Sequence, residues 1–374
     1  MVDRVFVHIG LPKTATTYLQ TIIWANRERL REEGVVVPGA ERRDHLWASR
    51  TVREEGRQEW APEHQRTAWD RLRAELAESE GTGLISHEFF AAARPVQAKA
   101  MVAQLAPAEV HLVISAREPL GLFSASWQES LKNGSTLPMS DYGRYVSVKP
   151  TDIWNWRTLD LRLVLKRWTK AVPQDRVHVL VLDPGAPRED VWHKLAAAVG
   201  FSGDDMDLSS TFPNASMGVV QAETLRRING KLEGFGRAYE RGVYIRSFLA
   251  DERLVPQGGD RFWPDPDQIE ECRVRGADAV EHLREGDYDI HGDLEQLLVP
   301  ADLEPRRSTS SVTDAEVGDV AAQLVATMLG DVRRLSEEVR TLESLRDEDA
   351  TDDGRLGSFL ARARARISRD GPDA

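Results

Sequence analysis

The sequence predicts an α/β protein: a parallel sheet of about five strands flanked by helices, followed by a mostly helical C-terminal region. Three observations predict it. Short apolar runs alternate with amphipathic stretches of helical period through the first 200 residues, the pattern of strand–helix–strand crossovers in a sheet covered on both faces. The best of these runs, residues 110–116 (VHLVISA), is nearly continuous rather than alternating in polarity, as a strand buried on both faces should be. Beyond residue 201 strand signals fade, leaving helices and Pro/Gly loops such as 255–266.

Taken in order, residues 4–9 (RVFVHI) read as a buried strand running into a turn at Gly10–Pro12. A helix is predicted from residue 14 to about 33, because Tyr18, Leu19, Ile22, Ile23 and Leu30 recur at helical spacing. A short second strand at 35–38 leads to a polar loop at 39–45. Then come a helix at 60–78, a strand at 83–86, the 110–116 strand and a helix at 120–133. A helix at 156–171 carries Leu159, Leu163, Val164 and Trp168 on one face, and residues 177–182 form a further strand. Near the end, Thr313 and Glu316 form a capping box that opens a long amphipathic helix. On it Val325, Met328, Val332, Leu335, Val339 and Leu342 repeat as heptads, which suits either a homodimeric coiled coil or packing on the chain's own body. The organisation expected is thus a core at 1–200, a helix-and-loop extension at 201–312 that completes the site, an amphipathic helix at 313–346, and a mobile tail at 347–374.

Composition narrows the function classes. At 374 residues and 41% apolar, the chain can bury a sizeable core. Its 49 basic against 61 acidic residues leave a net charge of −12, with no basic stripe before the last dozen residues. That argues against nucleic acid as a partner while leaving room for a small anion in a local basic pocket. A single cysteine, Cys272, excludes a disulfide framework and a thiolate metal cluster. The N-terminal apolar run is short and interrupted by His8, so neither a secretion signal nor a membrane anchor is expected and a cytoplasmic protein is. Eight lysines against 41 arginines fit a GC-rich bacterial genome.

Chemistry concentrates first in His8-Ile-Gly-Leu-Pro-Lys-Thr-Ala-Thr-Thr17, between a strand and a helix. Backbone amides exposed by a tight glycine turn at a helix N-terminus bind anions. Lys13 adds a positive charge, and Thr14, Thr16 and Thr17 add hydroxyls. A Walker A loop would place Gly directly before the lysine, where this chain has Pro12. A second site is Arg117-Glu-Pro119, directly after the strongest strand and opening a helix that holds Ser124 and Ser126. Arginine there suits bidentate phosphate recognition.

The first segment resembles the 5′-phosphosulfate loop of sulfotransferases that use 3′-phosphoadenosine-5′-phosphosulfate (PAPS), whose pattern is Pro-Lys-Ser/Thr-Gly/Ala-Thr-Thr after a first strand. The second resembles that family's 3′-phosphate motif: strand, Arg-x-Pro, then a serine one or two turns into the helix. The resemblance covers roughly residues 4–200 and is closest to a divergent actinobacterial branch, where Ser86-His-Glu88, Trp127-Gln-Glu129 and Asn214-x-Ser216 are also familiar. It implies a P-loop-like sheet and transfer of a sulfuryl group from PAPS to a small-molecule or carbohydrate acceptor, as in bacterial secondary metabolism. Gly10, Lys13, Thr14, Ala15, Thr16, Thr17, Arg117, Ser124 and Ser126 would then hold PAPS, with no metal. The chain departs from the pattern eight residues after Arg117, where the usual serine is Ala125, flanked by Ser124 and Ser126. Asn214–Gly218 reads equally as a loop near the 3′-phosphate or as an N-cap.

In-line sulfuryl transfer rests on positioning and charge stabilisation, as phosphoryl transfer does, with Lys13 as the main catalytic charge. A general base on the acceptor hydroxyl adds about 10²- to 10⁴-fold. His87 follows the third strand, where cytosolic members of the family carry their catalytic histidine, and Glu88 is its neighbour. His45, near Glu41, sits where glycan and tyrosyl-protein members carry a catalytic glutamate. Tryptophans at 154, 156 and 168 suit either an aromatic acceptor pocket or the core. Two rival functions remain: a P-loop kinase of a small metabolite, requiring Mg²⁺ and ATP, and a non-catalytic nucleotide-binding protein of the same fold.

Overall fold

The computed structural model describes residues 1–53, 61–209 and 216–367, the last of these as backbone alone beyond residue 343. Met1–Val312 is one compact unit and Thr313–Ala374 a second.

Among the described residues of the first unit lie eight strands: β1 (Arg4–His8), β2 (Val35–Val36), β3 (Thr82–Ser86), β4 (Glu109–Ala116), β5 (Val177–Val181), β6 (Phe262–Trp263), β7 (Asp289–His291) and β8 (Arg307–Ser308). Six form a parallel sheet in the order β2–β3–β1–β4–β5–β7, while β6 and β8 pair separately. The register sets His8 of β1 beside Ser86 of β3 and Val113 of β4. From β1 the chain crosses to β2 and β3 on one side, and β4, β5 and β7 then extend the other. The order therefore reverses between β1 and β4, and in open parallel sheets ligands bind outside the carboxyl ends of the strands at such a point.

Burial on both faces drives the sheet. Phe6, Leu84, Val113 and Leu180 share a buried cluster with Leu19, Ile22 and Ile23 of the Thr16–Ala25 helix and with Trp192 and Leu195 of the Asp190–Val199 helix. Removing each such side chain from water contributes roughly 1.5–3 kcal/mol. Trp127, Trp156, Trp168 and Trp192 are all fully buried, so these four indoles belong to the core.

Several boundaries depart from the sequence expectation for identifiable reasons. The helix expected over 14–33 is two helices, Thr16–Ala25 and Arg27–Glu32. They are broken at Asn26, whose side chain bonds the Ile22 and Asp207 carbonyls and accepts from the Asp207 amide. The helix expected over 156–171 is likewise split at Asp160, which caps Leu163. His45 lies not in a loop but in the first turn of a helix, Arg43–Val52. The expected helix at 60–78 is Ala68–Glu78 preceded by one turn at Glu63–Arg66; Trp60 lies outside the described residues. A sixth strand, β7, comes from the 201–312 stretch expected to be helix and loop. Only three residues long and two-thirds polar, it gives a sequence reading nothing to find.

In the second unit a single helix runs from Asp314 to Ile367, past the end expected at residue 346. Its capping box is formed: Thr313 N–H donates to Glu316 Oε2 at 2.8 Å and Glu316 N–H to Thr313 Oγ1 at 3.3 Å.

Candidate functional site

Three turns meet the carboxyl edge of the sheet: Gly10–Ala15 after β1, His87–Glu88 after β3 and Arg117–Glu118 after β4.

The first is tightly specified. Gly10 has φ of +28°, and a Cβ there would stand 2.5 Å from Thr16 Cγ2 and 2.8 Å from Ser115 Oγ. Lys13 and Ala15 also have positive φ, 69° and 61°. For residues with a Cβ that conformation costs roughly 1–2 kcal/mol each, and such strain gathers where backbone amides must face a ligand. What holds it is a polar cluster beneath the loop. Thr14 Oγ1 donates to the Leu11 carbonyl at 2.5 Å and lies 2.8 Å from Ser115 Oγ. The buried ring of His8 joins Ser86 Oγ (2.8 Å) on β3 to Ser115 Oγ (3.2 Å) on β4. Burial lowers the His8 pKa to about 4, so the ring is neutral. The Thr14 hydroxyl expected to face a ligand is thus committed inward. The hydroxyls of Thr16 and Thr17 make no hydrogen bond among the described residues.

Lys13 is only partly exposed and its Nζ stands 3.0 Å from Glu129 Oε2. Glu129 is buried in the Pro119–Lys132 helix and also ion-paired with Arg246, from the wide-turned helix Arg241–Leu254. Burial alone would raise the Glu129 pKa, but Lys13, Arg246 and Lys132 together outweigh it and hold the carboxylate ionised. Neither Glu129 nor Arg246 was singled out as a site residue from sequence. Glu129 lies in the Trp127-Gln-Glu129 stretch noted for its resemblance, whereas no spacing signal marks Arg246.

After β4, Arg117 folds back over the first turn of the next helix. Its Nη2 lies 3.3 Å from Glu118 Oε1, and any Cβ at Gly121 would collide with its guanidinium. Glu118 caps that helix by accepting from Gly121 N–H at 2.8 Å. Ser124 stands one turn beyond Gly121 on the same face, and its buried Oγ has no hydrogen-bond partner among the described residues. Ser126, by contrast, is fully buried with Oγ 2.6 Å from the Tyr142 hydroxyl. Of the two serines flanking Ala125, Ser124 has the unmet hydroxyl.

The two candidate histidines part company. His45 is fully buried; its Nε2 donates to the Pro38 carbonyl at 2.8 Å and its Nδ1 accepts from Ser86 N–H at 3.1 Å, so both nitrogens serve the backbone. His87 Nδ1 accepts from Phe89 N–H at 3.1 Å, and its Nε2 has no hydrogen-bond partner among the described residues. Burial lowers both pKa values to about 4. Glu88 Oε2 stands 3.7 Å from His87 Nδ1 and accepts from Gln20 at 3.0 Å. Burial pushes the Glu88 pKa up, but His87, Gln20 and a backbone amide more than offset it, and the net shift is downward. Phe89 packs edge-on against His87 at 4.7 Å and Trp154 against Phe89 at 6.2 Å, extending an aromatic wall from the histidine. Glu41 is exposed, and Asn214 lies outside the described residues.

No protein-family model, curated protein or solved structure matches the chain.

Proposed function

We propose that this chain is a sulfotransferase with a P-loop-like fold, moving a sulfuryl group from PAPS to a hydroxyl or amine of a small-molecule or carbohydrate acceptor and releasing 3′-phosphoadenosine 5′-phosphate (PAP). One observation carries the reading. Two groups of residues chemically suited to anions, the Lys13 loop and the Arg117–Ser124 face, come from distant parts of the chain and flank the point where the strand order reverses.

The residues suit the donor. The amides of the strained Gly10–Ala15 loop and the Lys13 ammonium would hold the 5′-phosphosulfate, with the hydroxyls of Thr16 and Thr17 in reach of its oxygens. Arg117 and the unpartnered Ser124 Oγ would take the 3′-phosphate. The donor supplies an activated sulfuryl group. Lys13 stabilises charge on the departing phosphate, which requires the ammonium to leave Glu129; Arg246 stays behind to keep that carboxylate paired.

At the acceptor, His87 is the group with an open nitrogen. In the ring as hydrogen-bonded, Nδ1 accepts from Phe89, so the proton sits on Nε2. To take a proton at Nε2, the ring must carry its hydrogen on Nδ1, where Glu88 Oε2 is the nearest carboxylate oxygen to receive it. The proposed base is therefore His87 with Glu88 as its orienting partner, and Phe89 and Trp154 as one wall for the acceptor.

The test is release of PAP from PAPS against a panel of phenols, amines and sugars in the presence of a chelator. Acceptor-dependent turnover that survives chelation supports the proposal. Transfer from ATP that requires Mg²⁺, with none from PAPS, would replace it by the kinase reading.

A further inference from the structure

On one face of the sheet, four side chains from three strands form a continuous polar string that the proposed reaction does not use. Glu109 Oε1 is 2.8 Å from His111 Nε2, His111 Nδ1 is 2.9 Å from His178 Nε2, and His178 Nδ1 is 2.6 Å from Asp289 Oδ2. His291 Nε2 reaches the same Asp289 oxygen at 2.8 Å. Phe6 stacks on His111 at 4.6 Å and buries one side of the string, while Asp289 remains half exposed at its outer end.

The hydrogens do not suffice. Glu109, ion-paired to Arg176 at 2.9 Å, can only accept, and so can the Asp289 carboxylate. Between these two acceptors lie two imidazoles and three contacts, each needing one hydrogen. Two neutral rings supply two. With His111 Nε2–H donating to Glu109, His178 Nε2–H donates to His111 Nδ1, and a bare lone pair on His178 Nδ1 then faces a carboxylate oxygen. A cation, either an added proton or a metal ion, would complete that contact.

We propose that it is a divalent metal ion of the zinc type, bound by His178 Nδ1, Asp289 and His291 Nε2, with water completing the shell. Their ligand atoms all lie within 4.8 Å of one another, the only such group of three or more among the described residues. Two imidazoles and a carboxylate suit borderline ions such as Zn²⁺ or Co²⁺. The run His178–His111–Glu109 is the outer support a metal-bound imidazole needs: its far N–H is fixed by a second ring that is itself fixed by a carboxylate. Ligand atoms sharing one zinc stand about 3.3 Å apart at bond lengths of about 2.0–2.1 Å. The Asp289 carboxylate would have to withdraw by somewhat over half an ångström, which its exposed position allows. His178 lies three residues before the carboxyl end of β5. The metal would therefore pin the short edge strand β7 to β5, away from the Lys13 and Arg117 turns, and the proposal does not depend on the sulfotransferase reading.

The experiment is Co²⁺ titration of the full, tag-free chain after chelator treatment, followed by visible absorption and displacement by Zn²⁺. One Co²⁺ per chain is expected, with d–d absorption that is unchanged in the surface control His193→Ala. The signal should vanish in Asp289→Ala and in His291→Ala. Glu109→Gln, which touches the metal only through two rings, should weaken binding about tenfold or more. Failure to bind Co²⁺ stoichiometrically would overturn the proposal and leave a proton as the missing cation. So would binding that persists in both Asp289→Ala and His291→Ala.

Discussion

After β1 the chain makes a turn in which three residues hold positive φ and a buried His8–Ser86–Ser115–Thr14 cluster locks them there. After β4 it makes a turn whose arginine hydrogen-bonds the neighbouring Glu118 and whose nearest serine hydroxyl has no partner among the described residues. One turn is finished before any ligand arrives; the other has polar groups still to be satisfied. On the proposed reading, the backbone of the 5′-phosphosulfate subsite is pre-organised and the cost of its strain is met by the fold, while the Lys13 ammonium has still to swing from Glu129. The 3′-phosphate subsite is completed by the ligand, so it should carry discrimination between nucleotides.

The largest effect should come from the finished turn. Lys13→Ala should reduce turnover with PAPS by about 10²- to 10³-fold, as loss of one charge-stabilising donor does. The fold should be intact because Arg246 keeps the buried Glu129 carboxylate paired when the Lys13 ammonium is gone. Near-normal activity in this variant would remove the loop from the chemistry.

Next come the histidines, which share a burial-lowered pKa of about 4 but not their bonding. His87→Asn should lower turnover about 10²-fold with little change in donor affinity. His45→Asn should instead cost about 1–3 kcal/mol of stability by leaving backbone groups of Pro38 and Ser86 unmet, with turnover near wild type below the unfolding temperature. Reversed outcomes would move the base to the Arg43–Val52 helix. His8, His45 and His87 also set a pH dependence. In the unfolded chain they take up protons near pH 6.5, but in the folded chain only near about 4. Stability is therefore full above about pH 6.5 and is lost as pH falls through that window. The denaturant midpoint should drop steadily between pH 7 and 5, and less steeply in His45→Asn.

A smaller and more selective effect belongs to the unfinished turn. Arg117→Ala should weaken PAP by about 10- to 100-fold, the worth of a charge-assisted hydrogen bond. Adenosine 5′-phosphosulfate, which lacks the 3′-phosphate, should be nearly unaffected. Equal losses for both would make Arg117 a structural residue.

The sheet was largely legible because its strands are apolar runs with few alternatives, and the Lys13 and Arg117 turns were legible because glycine, proline and charge mark them. What escaped was tertiary. The strand Asp289–His291 is polar and pairs only because β5 offers it an edge. The inward turn of the Thr14 hydroxyl depends on Ser115, 101 residues away, and the hold of Glu129 on Lys13 spans 116. The choice between Ser124 and Ser126 turned on Tyr142, whose hydroxyl occupies one of them. The separation of His45 from His87 turned on which ring nitrogens the backbone had already taken. None of these is a property of local sequence.

The central claim is that the two turns together read a nucleotide phosphorylated at both the 3′ and 5′ positions. Calorimetric titration of the full chain with PAP, AMP and ATP tests it most directly. The account predicts one site with PAP bound at least tenfold more tightly than AMP or ATP, and no requirement for Mg²⁺. Equal affinity for PAP and AMP, or tighter Mg²⁺-dependent binding of ATP, would contradict it.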